Sequence, residues 1–156
     1  MAGMVRIVSA ILFLAVCATV LLPWVGISIF GTGLLEISQL QLITGIVYKT
    51  KMFGREYSQK ITDPMVLAAL PLLIAFIGAV LSAPKGKKAR IGRGIVGIIG
   101  FLSVLLIGLI MNITVSREGY GLVGVNFRIG FWLALLFFLG SAGLNLLARR
   151  WLGQKK

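Results

Sequence analysis

The side chains that could carry out chemistry are few and widely spaced in this 156-residue chain. The sequence has no histidine, one cysteine (Cys17) and four acidic residues, Glu36, Glu56, Asp63 and Glu118. The lack of histidine excludes His-based acid–base catalysis and His-ligated haem or zinc. Thiol–disulfide exchange needs two cysteines, and metal hydrolysis needs a cluster of ligands. We therefore expect no cofactor, no metal and no enzymatic activity, with a lipid-modifying activity that uses Glu56 or Asp63 as a remaining alternative.

The composition predicts an integral membrane protein. Apolar residues make up 58% of the chain and charged residues only 13%, against about 25% charged residues in soluble domains. A soluble domain of this size could not bury so much apolar surface. Four stretches approach the length of about 20 residues that a membrane helix needs, at 5–22, 64–81, 94–111 and 129–148. We predict an all-α, four-helix transmembrane bundle that forms one domain over residues 1–156.

The first stretch has a cleaved signal peptide as its alternative. Its apolar run continues to Pro23 and Trp24 without a small-residue cleavage site, which favours a retained span. Tryptophans at the predicted span ends, Trp24, Trp132 and Trp151, are expected at the headgroup level.

The distribution of the net charge of +12 predicts the orientation. Four spans place the N-terminus, the loop 82–93 and the C-terminus on one side, with ten basic residues and no acidic residue. The other side has six basic residues and all four acids. The positive-inside rule then predicts a multi-pass plasma-membrane protein with both termini in the cytoplasm.

The loop 82–93 concentrates positive charge. This charge has two compatible interpretations, a topology signal and a contact for anionic lipids, to which each basic residue near the membrane contributes about 1 kcal/mol. We do not expect nucleic-acid binding, because no basic domain stands clear of the membrane. The candidate lipid contacts are Lys85, Lys87, Lys88, Arg90 and Arg93.

The first outer loop, about 25–63, is long enough to hold an ordered element. Segments 27–29, 45–53 and 57–61 have strand-like patterns and predict a small β element of three or four strands, whereas 34–43 fits a strand or a short interfacial helix. The second outer loop, about 112–128, is expected to be flexible or tightly turned. Asp63 and Pro64 are typical of a helix N-terminus.

The first outer loop also mixes aromatic and basic residues, which are favoured at protein interfaces. We predict a partner contact there, with simple placement on the membrane surface as the alternative. The residues concerned are Tyr48, Lys49, Lys51, Phe53, Arg55 and Tyr57.

Small residues recur on the predicted helix faces. Helices in lipid pack through small residues that allow close approach. Asn145 is expected to make an interhelical hydrogen bond, with a substrate contact as the alternative, and Pro71 is expected to bend the second span. The predicted helix-packing residues are Ala75, Ala79, Gly97, Gly100, Gly108, Gly130, Ala134, Ser141 and Asn145.

The order of these elements resembles the claudin-like tetraspan layout. The likeness rests on a short N-terminus, a first span followed by Trp24, a long outer loop with a small sheet, a short basic loop and a fourth span. The chain also resembles small four-span bacterial proteins, with Leu22-Pro23-Trp24 after span one and Gly130-Phe131-Trp132 opening span four. The claudin cysteine pair and second tryptophan are absent from the first outer loop, so the resemblance implies architecture and assigns no functional residue.

These features together predict a non-enzymatic membrane protein. It would act as an accessory or scaffold subunit, or as a self-associating tetraspan, through its helix faces and first outer loop. Its expected partners are the bilayer and another membrane protein or a second copy. The alternative is a small oligomeric transporter or channel, although coupled carriers generally need ionisable residues within the membrane and these spans contain no acid.

Overall fold

The computed structural model describes residues 2–29, 32–52, 55–62, 65–118 and 123–153. Within these ranges the chain alternates between helices and short strands. The helices are α1 (Ala2–Ala18), α2 (Gln39–Thr44), α3 (Leu70–Val80), α4 (Lys87–Glu118) and α5 (Ile129–Gly153), with 3-10 turns at Thr19–Leu21 and Val66–Ala69. The strands are β1 (Pro23–Ile29), β2 (Thr32–Ser38), β3 (Ile46–Met52), β4 (Arg55–Thr62) and β5 (Val123–Phe127).

Three helical segments are long and apolar enough to cross a membrane, namely Gly3–Leu21, Lys87–Val115 and Ile129–Ala148. The second predicted span contains a shorter apolar segment, Val66–Val80. Its 3-10 turn and α3 together rise roughly 24 Å, less than the hydrocarbon thickness of about 30 Å. Pro71 lies in the first turn of α3, where a missing N–H breaks no helical bond, so the predicted mid-span bend is wrong. The predicted helix start at Asp63 and Pro64 lies outside the described residues.

The third helix is much longer than the apolar run from which it was predicted. α4 covers 32 residues and begins at Lys87, inside the segment expected to be a loop. Lysine, alanine and arginine have high helix propensity, so the helix continues beyond its apolar part. The connection from α3 is correspondingly short and turns at Gly86, whose φ of 127° is in a region that favours glycine. The prediction of a loop over 82–93 is therefore wrong for its second half.

The four long helical segments form a closed ring. α1 packs against α3 and α5, and α4 packs against the same two helices. Phe13, Val104 and Phe138 are fully buried between them, and the rings of Phe13 and Phe138 meet edge to face at 6.2 Å. We call the end of the bundle with the α3–α4 connection the loop end, and the opposite end the sheet end.

The sheet end carries a three-stranded antiparallel sheet in the order β2-β1-β5. The strands β1 and β2 come from the predicted first outer loop, whereas β5 comes from the second, which was predicted to be flexible or tightly turned. Val25 pairs with Ile37 on one side and with Phe127 on the other. The ambiguous segment 34–43 contains both proposed structures, because β2 ends at Ser38 and α2 begins at Gln39. Ser38 and Gln41 form a capping box that fixes this change.

Trp24 connects this sheet to the helices and is not at an exposed interface. Its side chain is fully buried, its Nε1 donates to the Thr19 carbonyl at 2.9 Å, and its ring meets Phe131 edge to face. Gly130 leaves room for it, since a Cβ there would lie 2.5 Å from the indole. The headgroup placement predicted for Trp24 is therefore wrong, because a fully buried indole with its N–H satisfied has no surface left for lipid.

Close helix contacts occur where the chain has small residues. Ala75 and Ala134 are fully buried, and Ala79 is partly buried against the same core. A Cβ at Gly100 would meet the ring of Phe138, and a Cβ at Gly108 would meet Phe131. Gly97 lies against the backbone of α5, since a Cβ there would be 2.9 Å from the Ala142 nitrogen and 3.0 Å from the Phe138 oxygen.

Replacing Gly97 by alanine should separate α4 from α5, because backbone atoms cannot rotate away as a side chain can. We expect Gly97→Ala to lower the free energy of unfolding by about 1–3 kcal/mol, measured as the thermal midpoint in detergent micelles. Gly143→Ala is the matched control on α5, because nothing lies within 4 Å of its added Cβ. Equal midpoints for the two variants would contradict the close contact.

A basic cavity as the candidate functional site

The loop end of the bundle contains a cavity lined by positively charged side chains. Its volume is about 360 Å³, and Arg6, Lys85, Arg90 and Arg93 contribute to its wall. Arg6 comes from α1, Lys85 from the α3–α4 connection, and the other two from α4. The remaining lining residues are Gly3, Pro84 and Gly86.

Arg93 is the most deeply placed of these residues. Its side chain is 4% exposed, and its Nε donates to the Asn145 Oδ1 at 3.0 Å. Its Nη1 donates to the carbonyls of Leu81 at 3.1 Å and Pro84 at 3.4 Å. Leu81 is the C-cap residue that follows α3, and carbonyl groups at a helix C-terminus lack helical partners and carry partial negative charge. Arg93 therefore caps α3 while it belongs to α4.

Asn145 fixes the orientation of that guanidinium. An arginine can only donate, so the amide must present its oxygen to Arg93 and its Nδ2 elsewhere. The Nδ2 donates to the Ser9 Oγ at 2.7 Å and to the Ser141 carbonyl at 2.8 Å. Ser9 in turn donates to the Val5 carbonyl at 2.8 Å. One chain of hydrogen bonds thus joins α4, α5 and α1, and Arg93 extends it to the end of α3.

The other two arginines also donate to backbone carbonyl groups, one in the α3–α4 connection and one in α5. Arg6 Nη1 donates to the Ala83 carbonyl at 3.4 Å, and Arg90 Nη1 donates to the Ala148 carbonyl at 3.1 Å. These neutral acceptors do not cancel the charge. Three acids are in the described ranges. Glu36 lies at the sheet end, 3.2 Å from Arg128, Glu56 is in β4, and Glu118 is the last residue of α4, whose first turn lies beside this cavity.

The candidate lipid contacts differ in their exposure to solvent. Lys85, Lys87 and Lys88 are exposed, Arg90 is half-buried, and Arg93 is buried. The prediction that Arg93 is part of the loop 82–93 is wrong, because Arg93 is a buried residue of α4. Sequence reasoning counted Arg6 only as a topology signal, and nothing in its spacing from residues 85–93 indicates that it joins them.

The predicted partner-contact residues lie in a different place. Tyr48, Lys49 and Lys51 are in β3, Arg55 and Tyr57 are in β4, and Phe53 lies outside the described residues. Among the described residues the two strands pair with each other alone, as a two-stranded antiparallel sheet. Thr50 is opposite Tyr57 and Lys51 is opposite Glu56, so the tyrosine and lysine positions alternate between the two faces of the hairpin.

The acids considered for catalysis do not form a site in the part of the chain that can be described. No three His, Cys, Asp or Glu residues there come together in a group that could hold a metal ion. Glu56 is in β4 and Asp63 is outside the described ranges.

No protein-family model, curated protein or solved structure matches this chain. Its function must therefore be inferred from its own residues.

Removing the Asn145 amide should destabilise the loop end, because it leaves the buried Arg93 and Ser9 with one partner fewer. We expect Asn145→Ala to lower the free energy of unfolding by about 1–3 kcal/mol in detergent. Ser103→Ala is the control, since the Ser103 hydroxyl is buried but bonds only to the Gly100 carbonyl of its own helix. The network has no stabilising role if the two variants unfold at the same temperature.

Proposed function

We propose that the chain is a non-enzymatic integral membrane protein that crosses the plasma membrane four times. It acts as an accessory or scaffold subunit, or by associating with its own copies. Three helices of sufficient length and apolarity support the membrane placement. Large apolar side chains also lie on the outside of the bundle, such as Ile7, Ile11 and Leu14 of α1, each more than half exposed.

The shorter Val66–Val80 segment is the fourth span in this proposal. It is the member of the ring that packs between α1 and α4. Its outward side chains Leu73, Phe76 and Ile77 are more than half exposed. A bilayer accommodates a short span by thinning locally, which costs a fraction of a kcal/mol per Å. The positive charge at the loop end supports a cytoplasmic position for that end and for both termini.

The observation that carries the accessory or scaffold function is the β3–β4 hairpin. Its strands have seven and eight residues, and in the described part of the chain neither outer edge pairs with another strand. A two-stranded hairpin alone is only marginally stable in water, and free edges invite pairing with another chain. We infer that another membrane protein, or a second copy, packs on this hairpin and stabilises it.

The transporter or channel alternative has less support from the described interior. Phe13, Val104 and Phe138 occupy the middle of the bundle with no exposed surface. The buried polar side chains Ser9, Arg93 and Asn145 lie together near one end and satisfy one another. A pore would therefore have to form between copies of the chain.

Substitutions on the two faces of the hairpin test the contact. Tyr48→Ala with Tyr57→Ala removes two aromatic side chains from positions on one face, and Lys49→Ala with Lys51→Ala changes the other face. Aromatic residues dominate binding energies at interfaces, so we expect the tyrosine pair to weaken the complex by about 30-fold or more and the lysine pair much less. The measurement is blue-native electrophoresis after mild detergent extraction, with mass spectrometry of the complex to distinguish a second copy from another protein.

A wild-type chain that runs as a monodisperse monomer and co-purifies with nothing would overturn the proposed function. Equal loss of the complex in both double variants would show that the contact is electrostatic or indirect.

A further inference from the structure

We propose that the cavity at the loop end binds a phosphate group, carried by an anionic-lipid headgroup or by a free phosphorylated compound. The lipid source rests on the proposed membrane placement, whereas the phosphate chemistry rests only on the cavity. The site is distinct from general attraction of lipids to a basic surface, because it uses particular side chains in a fixed geometry.

The first argument is the uncompensated charge. Arg6, Lys85, Arg90 and Arg93 line one cavity of about 360 Å³. None of the described residues that line it is acidic. Four like charges around one cavity repel each other, and an anion inside it would be attracted to all four and so offset their repulsion. A phosphate carries the charge, and also the several acceptor oxygens, that such a set of donors can use.

The second argument is the buried Arg93. Its Nε and Nη1 are engaged by Asn145, Leu81 and Pro84, so the plane of the guanidinium is fixed before any ligand arrives. No hydrogen bond within the described residues uses its Nη2, which has two donors. A fixed guanidinium loses little entropy on binding, which is why arginine is favoured at phosphate sites.

The third argument is the position of the α4 N-terminus. Gly86 lines the cavity, and α4 begins at the next residue, Lys87. The first N–H groups of a helix have no helical partner and carry partial positive charge, so they favour phosphate groups nearby. This helix end adds to the arginines and would not make a site without them.

The chain provides its own control for charge alone. Lys87 and Lys88 are exposed, close in sequence to the cavity, and absent from its lining. The double variant Lys87→Gln, Lys88→Gln removes two positive charges outside the cavity. The double variant Arg6→Gln, Arg90→Gln removes two from inside it and leaves the Arg93–Asn145 network in place.

Native mass spectrometry of the full chain in mild detergent, titrated with phosphatidylglycerol or phosphatidylcholine, measures the binding. We expect one tightly held phosphatidylglycerol per chain and no such retention of the zwitterionic lipid. Arg6→Gln, Arg90→Gln should weaken binding about tenfold or more, and Lys87→Gln, Lys88→Gln less than about twofold. Arg93→Lys should also weaken binding, because lysine keeps the positive charge but lacks the planar guanidinium that can donate two parallel hydrogen bonds to a phosphate.

Calorimetric titration with inorganic phosphate identifies the source of the group. Binding of inorganic phosphate by a chain that retains no phosphatidylglycerol would assign the cavity to a free phosphorylated compound, and retention of the lipid would assign it to the membrane. Equal weakening by the two double variants, or no binding of either ligand by a chain with the wild-type unfolding midpoint, would overturn the proposal. The hairpin contact is read separately by electrophoresis, so either proposal can fail without the other.

Discussion

The loop end of this molecule depends on how a buried positive charge is satisfied. Arg93 is almost fully removed from solvent, and its hydrogen-bond partners among the described residues are all neutral. Burial of an unpaired charge is very costly, so each donor must find a well-placed acceptor. The acceptors are the Asn145 amide and carbonyl groups at the end of α3, which themselves lack helical partners. The cost of burying the guanidinium and the cost of leaving the carbonyl groups unpaired thus offset each other. The same hydrogen bonds, with those of Asn145, join α1, α3, α4 and α5.

The sheet end follows a second constraint, which is the volume of Trp24. A buried indole needs space and a partner for its N–H, and the chain supplies Gly130 and the Thr19 carbonyl. The strand that begins beside Trp24 is the central one of the sheet and pairs with strands from both predicted outer loops. The backbone N–H of Arg128 also donates to the Trp24 carbonyl at 2.9 Å. The start of α5 is therefore tied to the end of α1 by the same residue.

Periodicity and hydropathy could predict the helices because an apolar run of this length has few other stable forms. They could not predict the ends of α4, because its first turns consist of basic residues that favour a helix and a charged loop equally well. The strand β5 was missed since Val123–Phe127 is short and contains Gly124, and only pairing with β1 makes it a strand. A tryptophan is stable both at a membrane interface and in a buried core. Trp24 can be buried because Gly130 leaves room for its indole, and the sequence does not show that these two residues meet.

The basic residues show most clearly what the sequence leaves open. Five of them between residues 85 and 93 are equivalent as topology signals, since the positive-inside rule counts charge and ignores geometry. A topology signal needs no buried arginine, and exposed lysines such as Lys87 and Lys88 would serve it. The fold instead brings Arg93 into the bundle, adds Arg6 from the other end of the sequence, and leaves a cavity between them. Asn145 and the carbonyl groups after α3 explain the Nε and Nη1 contacts of Arg93, but not why Arg6, Lys85 and Arg90 line the same cavity. The phosphate proposed for that cavity would use the charge of all four side chains.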